Sequence, residues 1–376
     1  MRLITYLERS RVSEVSLPSS VVRNLMNEPS AMLADLSALQ RIRYHGEPLP
    51  ETWQHIELVR VADIDDVTAL VEATAVDEEI DTEPVELLSR AALLSMAHAM
   101  RLPDAPRHAK LLDRWQAALT KELDAAWDAA ESAWRKASGS AETVEYARRN
   151  AERLPELLNG TCDPVSLMFP EGRMDVADGL YRENIMGRYQ HRAVRAFVGA
   201  LGRPLRVLEV GAGTGATTER VLPELEGSDY LFTDVSKFFL DQARERFPGL
   251  RYALYDINSD GQLDEEFDVV IGGGVLNAAV DTDASVRRLR DLLCPGGWLV
   301  LSEPTVEEHW VLISQAFLLA EPADARAATG TTFLTHDQWR DVLRDAGLDL
   351  ALDLPAEHHP LARFGHRVFL ARKPLY

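Results

Sequence analysis

The stretch that most constrains this chain is VLEVGAGTG, residues 207–215. An apolar run closes on an acid, Glu209, and Gly211, Gly213 and Gly215 then alternate before a helix-like segment. A buried strand ends in this way when its backbone must turn sharply beside a small bound molecule. A Cβ at those glycines is expected to fill the space that the molecule needs. The pattern predicts a strand–loop–helix unit in an open sheet, with a nucleotide-like ligand at the strand's carboxyl end.

The C-terminal half repeats that texture. LRVLEV, YLFTD, RYALYD, FDVVIGG and WLVLSE are short apolar runs separated by helix-length polar segments or turns. Residues 285–293 and 336–346 are the clearest helices among them, and LDLALDL with HRVFLA reads as a closing hairpin. Alternation of this kind implies an α/β, Rossmann-like parallel sheet covered on both faces. Upstream the chain reads as helical. Residues 108–137 contain no Gly or Pro, and Leu112, Trp115, Leu119, Leu123, Trp127 and Trp134 recur at helical spacing, a stripe expected to serve packing. Residues 85–100 form a second helix candidate, closed by Pro103. A turn-rich stretch then leads to a helix expected over 176–199. The expected organisation is a helical N-terminal domain over 1–155, a lid or linker segment over 156–203 and a ligand-binding catalytic domain over 204–376.

Charge narrows the partners. The net charge is −20, and nucleic-acid affinity rests on neutralising phosphates with Lys and Arg, so DNA and RNA are disfavoured. Arg101, Arg107, Lys110 and Arg114 form a local basic cluster, read as a solvated helix face, with a docking patch for an acidic partner as the other reading. No apolar run reaches the ~20 residues of a membrane span, and the start turns charged too early for a secretory signal. Cys162 and Cys294 are expected to be buried thiols in a cytoplasmic protein.

In such sheets ligands bind beyond the carboxyl ends of the strands. The candidates line up there: the three glycines after the first strand, Asp234 ending the second, Asp256 ending the third, and Gly272, Gly273 and Gly274 after the fourth. Asp234 suits a pair of ribose hydroxyls, Asp256 an exocyclic amine and Ile257 the face of a purine. GAGTGA also satisfies the dinucleotide pattern G-x-G-x-x-A. Its place in mid-chain, the acid Glu209 two residues before the first glycine and the additional acid Asp256 favour S-adenosylmethionine over a nicotinamide cofactor.

With those residues in view, VLEVGAGTG, FTDVS, YDIN and LLCPGGWLVLSE resemble the motifs of class I S-adenosylmethionine-dependent methyltransferases. LPDAPRHAKLLDRWQAAL, LPELLNGTCDPVSLMFPEG, GLYRENIMGRYQ and EVGAGTGATTERVLPEL are similar to the carbon-methylating domains embedded in polyketide and nonribosomal peptide synthases. The likeness runs over roughly residues 100–320 and is strongest over 154–234. It implies the seven-stranded methyltransferase sheet, methyl transfer in natural-product biosynthesis, and a small-molecule substrate or an acyl or peptidyl carrier protein as partner. Here the module is expected to be free-standing. Carried over by motif, Glu209, Gly211, Gly213, Asp234 and Asp256 would hold the cofactor, with Ile257 and Gly273 beside them. Tyr181 and Tyr189, in and after the lid-like YREN, would cover the sulfonium, where an aromatic face stabilises a cation.

One departure matters. Those domains usually read NVLHA after the fourth strand, and their histidine works as a base with a glutamate from the next strand. This chain reads GVLNA, so Asn277 stands where the histidine would be, while Glu303 is retained. A carboxamide orients a substrate but cannot take a proton near neutral pH. Glu303 could act as the base if burial raises its pKa. His191, His309, His358, His359 and His366 are read as surface or packing residues, and no metal site is expected. Two alternatives follow from Asn277. One is an enzyme that cyclises S-adenosylmethionine itself to azetidine-2-carboxylate and methylthioadenosine. The other is a non-catalytic module that binds the cofactor.

Overall fold

The computed structural model of the chain describes residues 2–45, 47–60, 64–76, 80–100, 109–202, 204–261 and 263–375. The strands read from sequence after Pro204 are all present: β5 Arg206–Val210, β6 Asp229–Asp234, β7 Arg251–Leu254, β8 Phe267–Gly273, β9 Leu293–Pro304, β10 Asp349–Leu354 and β11 His366–Arg372. They form one seven-stranded sheet in the order β10-β11-β9-β8-β5-β6-β7. Strands β5 to β9 run parallel, and β11 runs antiparallel to both β9 and β10. The central strands are buried on both faces, which is why β5 and β8 read as continuous apolar runs without alternation.

Two apolar clusters fill the two faces. One holds Val207, Val269, Val300 and Val368 under the helix Ile185–Ala200; the other holds Leu208, Val270, Leu299 and Phe369 under the helices Thr282–Asp291 and His336–Asp345. The last of these opens with a capping box between Thr335 and Gln338. The single helix expected over 176–199 is two, Asp175–Glu183 and Ile185–Ala200. Asn184 divides them: its backbone is extended, and its side chain accepts hydrogen bonds from the Met186 and Gly187 amides.

The upstream region carries the helices Ile64–Val76, Glu83–Ala99 and Ala109–Ser138. The tryptophan stripe divides in function: Trp127 and Trp134 are buried, whereas Trp115 is exposed. Arg101 and Arg107 lie outside the described residues; Lys110 and Arg114 sit on the exposed N-terminal part of Ala109–Ser138. The first sixty residues hold the helices Arg2–Ser10, Ser19–Asn27 and Pro29–Leu33 and, beyond the helical expectation, strands as well. They carry a small sheet, β1 Glu14–Pro18, β2 Arg41–His45, β3 Thr52–Trp53 and β4 Ile56–Arg60, in the order β1-β2-β4-β3. Its signal is a short alternation: Ile42 and Tyr44 in β2, and Ile56 and Leu58 in β4, face a separate apolar cluster.

The opposite face of β2 docks the small sheet onto the large one. Arg43 is buried and reaches Asp268, at the amino end of β8, with Nη1 2.6 Å from Oδ1. Its Nε pairs with Glu14, and the other Asp268 oxygen accepts from the Arg206 amide at 2.7 Å. Cys162 and Cys294 are both free and buried, the latter beside Asp268. Among the described residues no helix is long and apolar enough to cross a membrane.

Candidate cofactor and acceptor site

The loop after β5 is built from left-handed glycines, with φ of 58° at Gly211, 54° at Gly213 and 75° at Gly215. The reason for glycine differs along the loop. A Cβ on Gly211 would fall 2.2 Å from Val275 Cγ2, and one on Gly215 would fall 2.5 Å from Phe247 Cε2, so protein atoms already hold those two spaces. Only at Gly213 is the nearest atom 3.9 Å away, leaving room for a ligand.

Asp234, at the tip of β6, braces this loop. Its Oδ2 accepts from the Gly213 amide at 3.0 Å, and its Oδ1 accepts from the Ser236 amide at 2.8 Å. Burial raises its pKa against the pull of those amides. Each oxygen keeps a second lone pair, enough to accept from a diol. Asp256, just past β7, is only half-buried, and the Asn258 amide lowers its pKa despite some burial, helped by the Ser259 hydroxyl. Ile257 is 6% exposed, so its side chain is largely taken up by the core, and its carbonyl accepts from Ser285. Gly273 faces Thr217, and Gly274 opens onto free space.

Glu209 lies one step beneath the loop. It is fully buried, its Oε2 accepts from Thr218 Oγ1 and, at 2.6 Å, from the Tyr230 hydroxyl, and burial pushes its carboxyl up to about 7. It holds the strand end to the following helix and to β6. Glu303 behaves similarly under the acceptor side. Both of its oxygens face the turn Leu276–Ala278 and accept from the amides of Val275 at 3.1 Å, Leu276 at 2.8 Å and Asn277 at 3.3 Å. Burial pushes it up to about 8 against these bonds. With no exposed surface and both oxygens on backbone amides, it positions the turn. The Asn277 carboxamide is half-buried and makes no hydrogen bond among the described residues.

The sequence reading missed the outer supports of this turn. Arg326, buried, donates to the Asn277 carbonyl at 2.7 Å and to the Ala279 carbonyl at 2.6 Å, while Asp324 grips the same guanidinium with both oxygens. Burial opposes the Asp324 charge, yet Arg326 and the Thr282 amide hold its pKa well below the usual carboxylate range. Nothing in the segment ADARAAT marks this pair, because its partners are backbone carbonyls some 50 residues away.

The two tyrosines have different settings. Tyr181 is exposed on the helix Asp175–Glu183, whereas Tyr189 is buried and packs on His359 with ring centroids 4.9 Å apart. Burial pushes the Tyr189 phenol up to about 12. It is Arg182, unremarked in the sequence, that fastens the helix Asp175–Glu183 to the glycine loop, donating to the Thr214 carbonyl at 2.8 Å and pairing with Glu219 and Asp178. His191 stands behind it with a buried Nδ1 that has no partner among the described residues, and burial pushes its ring down to about 4. His309 contacts Ser89, and His358 is exposed.

Comparison with known proteins finds likeness in both sequence and fold. A family model described as a methyltransferase domain matches residues 208–299. The chain is 36% identical to the pyochelin synthetase PchF of Pseudomonas aeruginosa over 66% of its own length and 15% of the relative's. It is 31% identical to the polyketide synthase ThaG of Burkholderia thailandensis over 93% of its length and 7% of the relative's. It thus spans a small part of these relatives. Among solved structures it is similar to the CurJ carbon methyltransferase, with a TM-score of 0.65, 25% identity, and coverage of 83% of this chain and 96% of that one. The DszA carbon methyltransferase, with a TM-score of 0.61 and 22% identity over 83% of this chain and 96% of that one, shares the fold.

Proposed function

Starting from the fact that this chain is an S-adenosylmethionine-dependent methyltransferase domain related to those of polyketide and nonribosomal peptide synthases, we propose that it methylates a small or carrier-bound intermediate of such a pathway at an electron-rich atom. One observation carries the reading: the open side of Gly213, braced by Asp234, belongs to the same glycine loop that Val275 keys to the Asn277 turn. A cofactor site and an acceptor site are thereby built as neighbours.

The residues at the strand tips fit the cofactor. Asp234 has lone pairs left for ribose hydroxyls, Asp256 would accept from an adenine amine, and the open side of Gly213 would leave room for the ligand. Bound there, S-adenosylmethionine supplies an electrophilic methyl group. The chain's own part is alignment and exclusion of water. Arg182 ties the lid helix over the loop, Glu303 and Arg326 fix the turn, and the Asn277 carboxamide is left to orient the acceptor by hydrogen bonds. The 25%-identical carbon methyltransferase favours a carbon acceptor, such as the carbon between two carbonyls of a β-ketoacyl thioester.

The test is mass spectrometry of the nucleoside product after incubation with S-adenosylmethionine, with and without the acetoacetyl thioester of N-acetylcysteamine. S-adenosylhomocysteine that depends on the thioester, together with a product heavier by one methylene, is the expected result. Methylthioadenosine formed from the cofactor alone would replace this reading with intramolecular cyclisation. Failure to bind the cofactor would leave only a silent module.

A further inference from the structure

Asn277 leaves a chemical gap: a carbon acid must lose a proton before it attacks a methyl group, and a carboxamide cannot take it. A histidine–carboxylate pair stands elsewhere on the same edge of the sheet. Glu308, in the segment after β9, is buried, and its Oε2 accepts from His366 Nε2 at 2.7 Å and from Trp310 Nε1 at 3.0 Å. Its Oε1 is just as buried and has no partner among the described residues. An acceptor left unsatisfied inside a protein marks a place where a further polar group belongs.

His366 opens β11 directly opposite Pro304 of β9, one residue beyond Glu303, and Gly274 at the end of β8 donates to Ser302 of β9 at 2.7 Å. At a strand spacing of about 4.8 Å, the His366 backbone therefore lies about 10 Å from that of Gly274, just before the Asn277 turn. A carboxylate can only accept, so the hydrogen sits on Nε2 and Nδ1 is the basic nitrogen. Nδ1 makes no hydrogen bond among the described residues, and the side chain is 15% exposed. The other histidine–acid pair, His336 with Asp353, differs: Arg340 and Arg367 already neutralise that acid. No Arg or Lys among the described residues pairs with Glu308, so its charge is available to a protonated imidazole.

We propose that His366, backed by Glu308, is the base that removes the acceptor's α-proton. The electron pair of the C–H bond stays on carbon as an enolate, the proton bonds to Nδ1, the Glu308 carboxylate balances the imidazolium, and the proton then leaves to water. Glu308 is a positioning residue in this scheme. The inference rests on the carbon-acceptor reading above, and its test needs no methyl transfer.

The acetoacetyl thioester of N-acetylcysteamine is incubated with the protein in D2O without S-adenosylmethionine, and deuterium uptake at the α-carbon is followed by NMR. Wild type should exchange well above the buffer rate, His366→Gln should lose about 100-fold of that excess, and Glu308→Gln about tenfold. Cofactor affinity, measured by calorimetry, should stay within twofold in both variants. Exchange in His366→Gln equal to wild type, or a wild type no faster than buffer, overturns the proposal. Loss of cofactor binding in both variants also overturns it, by marking the pair as structural. A wild type that exchanges the probe but binds no cofactor sinks the methyl-transfer reading and leaves this one standing.

Discussion

Asp268, at the amino end of the large sheet, and Asp234 and Glu303, at its carboxyl end, are held in opposite ways. At the amino end, Asp268 is closed off: Arg43 takes one oxygen, the Arg206 amide takes the other, and Glu14 balances the remaining guanidinium charge. At the carboxyl end, among the described residues, Asp234 and Glu303 accept hydrogen bonds only from backbone amides, Glu308 keeps a buried oxygen without a partner, and the Asn277 carboxamide makes no hydrogen bond. Charges matched by side chains of opposite sign leave nothing to offer a ligand. Acids held by amides keep spare lone pairs, and burial biases them toward taking a proton. The first arrangement fastens one part of the molecule to another; the second is poised to bind.

The sharpest way to break this contrast is Arg43→Ala, which takes the buried guanidinium away from Asp268. Removing one member of a buried pair costs about 3–5 kcal/mol, to be read by urea unfolding, while cofactor affinity of the folded fraction should be unchanged. Asp234→Ala should do the reverse. It removes a charged acceptor worth about 2–3 kcal/mol, a 30- to 150-fold loss of cofactor affinity by calorimetry, with a folded circular-dichroism spectrum.

Glu303 tests the role of burial. Its folded pKa of about 8 lies above the ordinary glutamate value, so the native state holds the extra proton. Its contribution is fully present below about pH 4.5 and is lost as pH rises toward 8, with a slope of at most about 1.4 kcal/mol per unit. Glu303→Gln should remove that slope, seen as a smaller difference between unfolding midpoints at pH 5 and pH 8. Arg182→Ala should have the mildest effect. Loss of its bond to Thr214 should weaken cofactor binding by about 1 kcal/mol, roughly fivefold, and leave stability near wild type.

The same contrast explains what was readable beforehand. The central strands of the large sheet announce themselves because both faces are buried, and the acids at the strand tips follow from chain direction alone. The small sheet escaped notice because β2 and β4 alternate over only five residues each, and Arg43, on the inward face, reads as a surface charge until Asp268 comes beside it from 225 residues away. Arg182, Arg326 and the His366–Glu308 pair were unreadable for a related reason: each acts on partners far off in sequence, several of them backbone atoms that carry no residue identity. Asn184 was different. An asparagine ahead of a helix is a visible cap, and only the apolar continuity across it concealed the break.

The contact between Gly211 and Val275 gives the two halves of the site a common hinge pin. Bulk added at residue 275 to reshape the candidate acceptor side would push directly on Gly211 of the loop proposed to hold the cofactor. Attempts to retune this domain for new acceptors should therefore leave that valine alone and vary the far side of the turn, at Asn277 and Ala278, where a change in selectivity need not loosen the grip on the methyl donor.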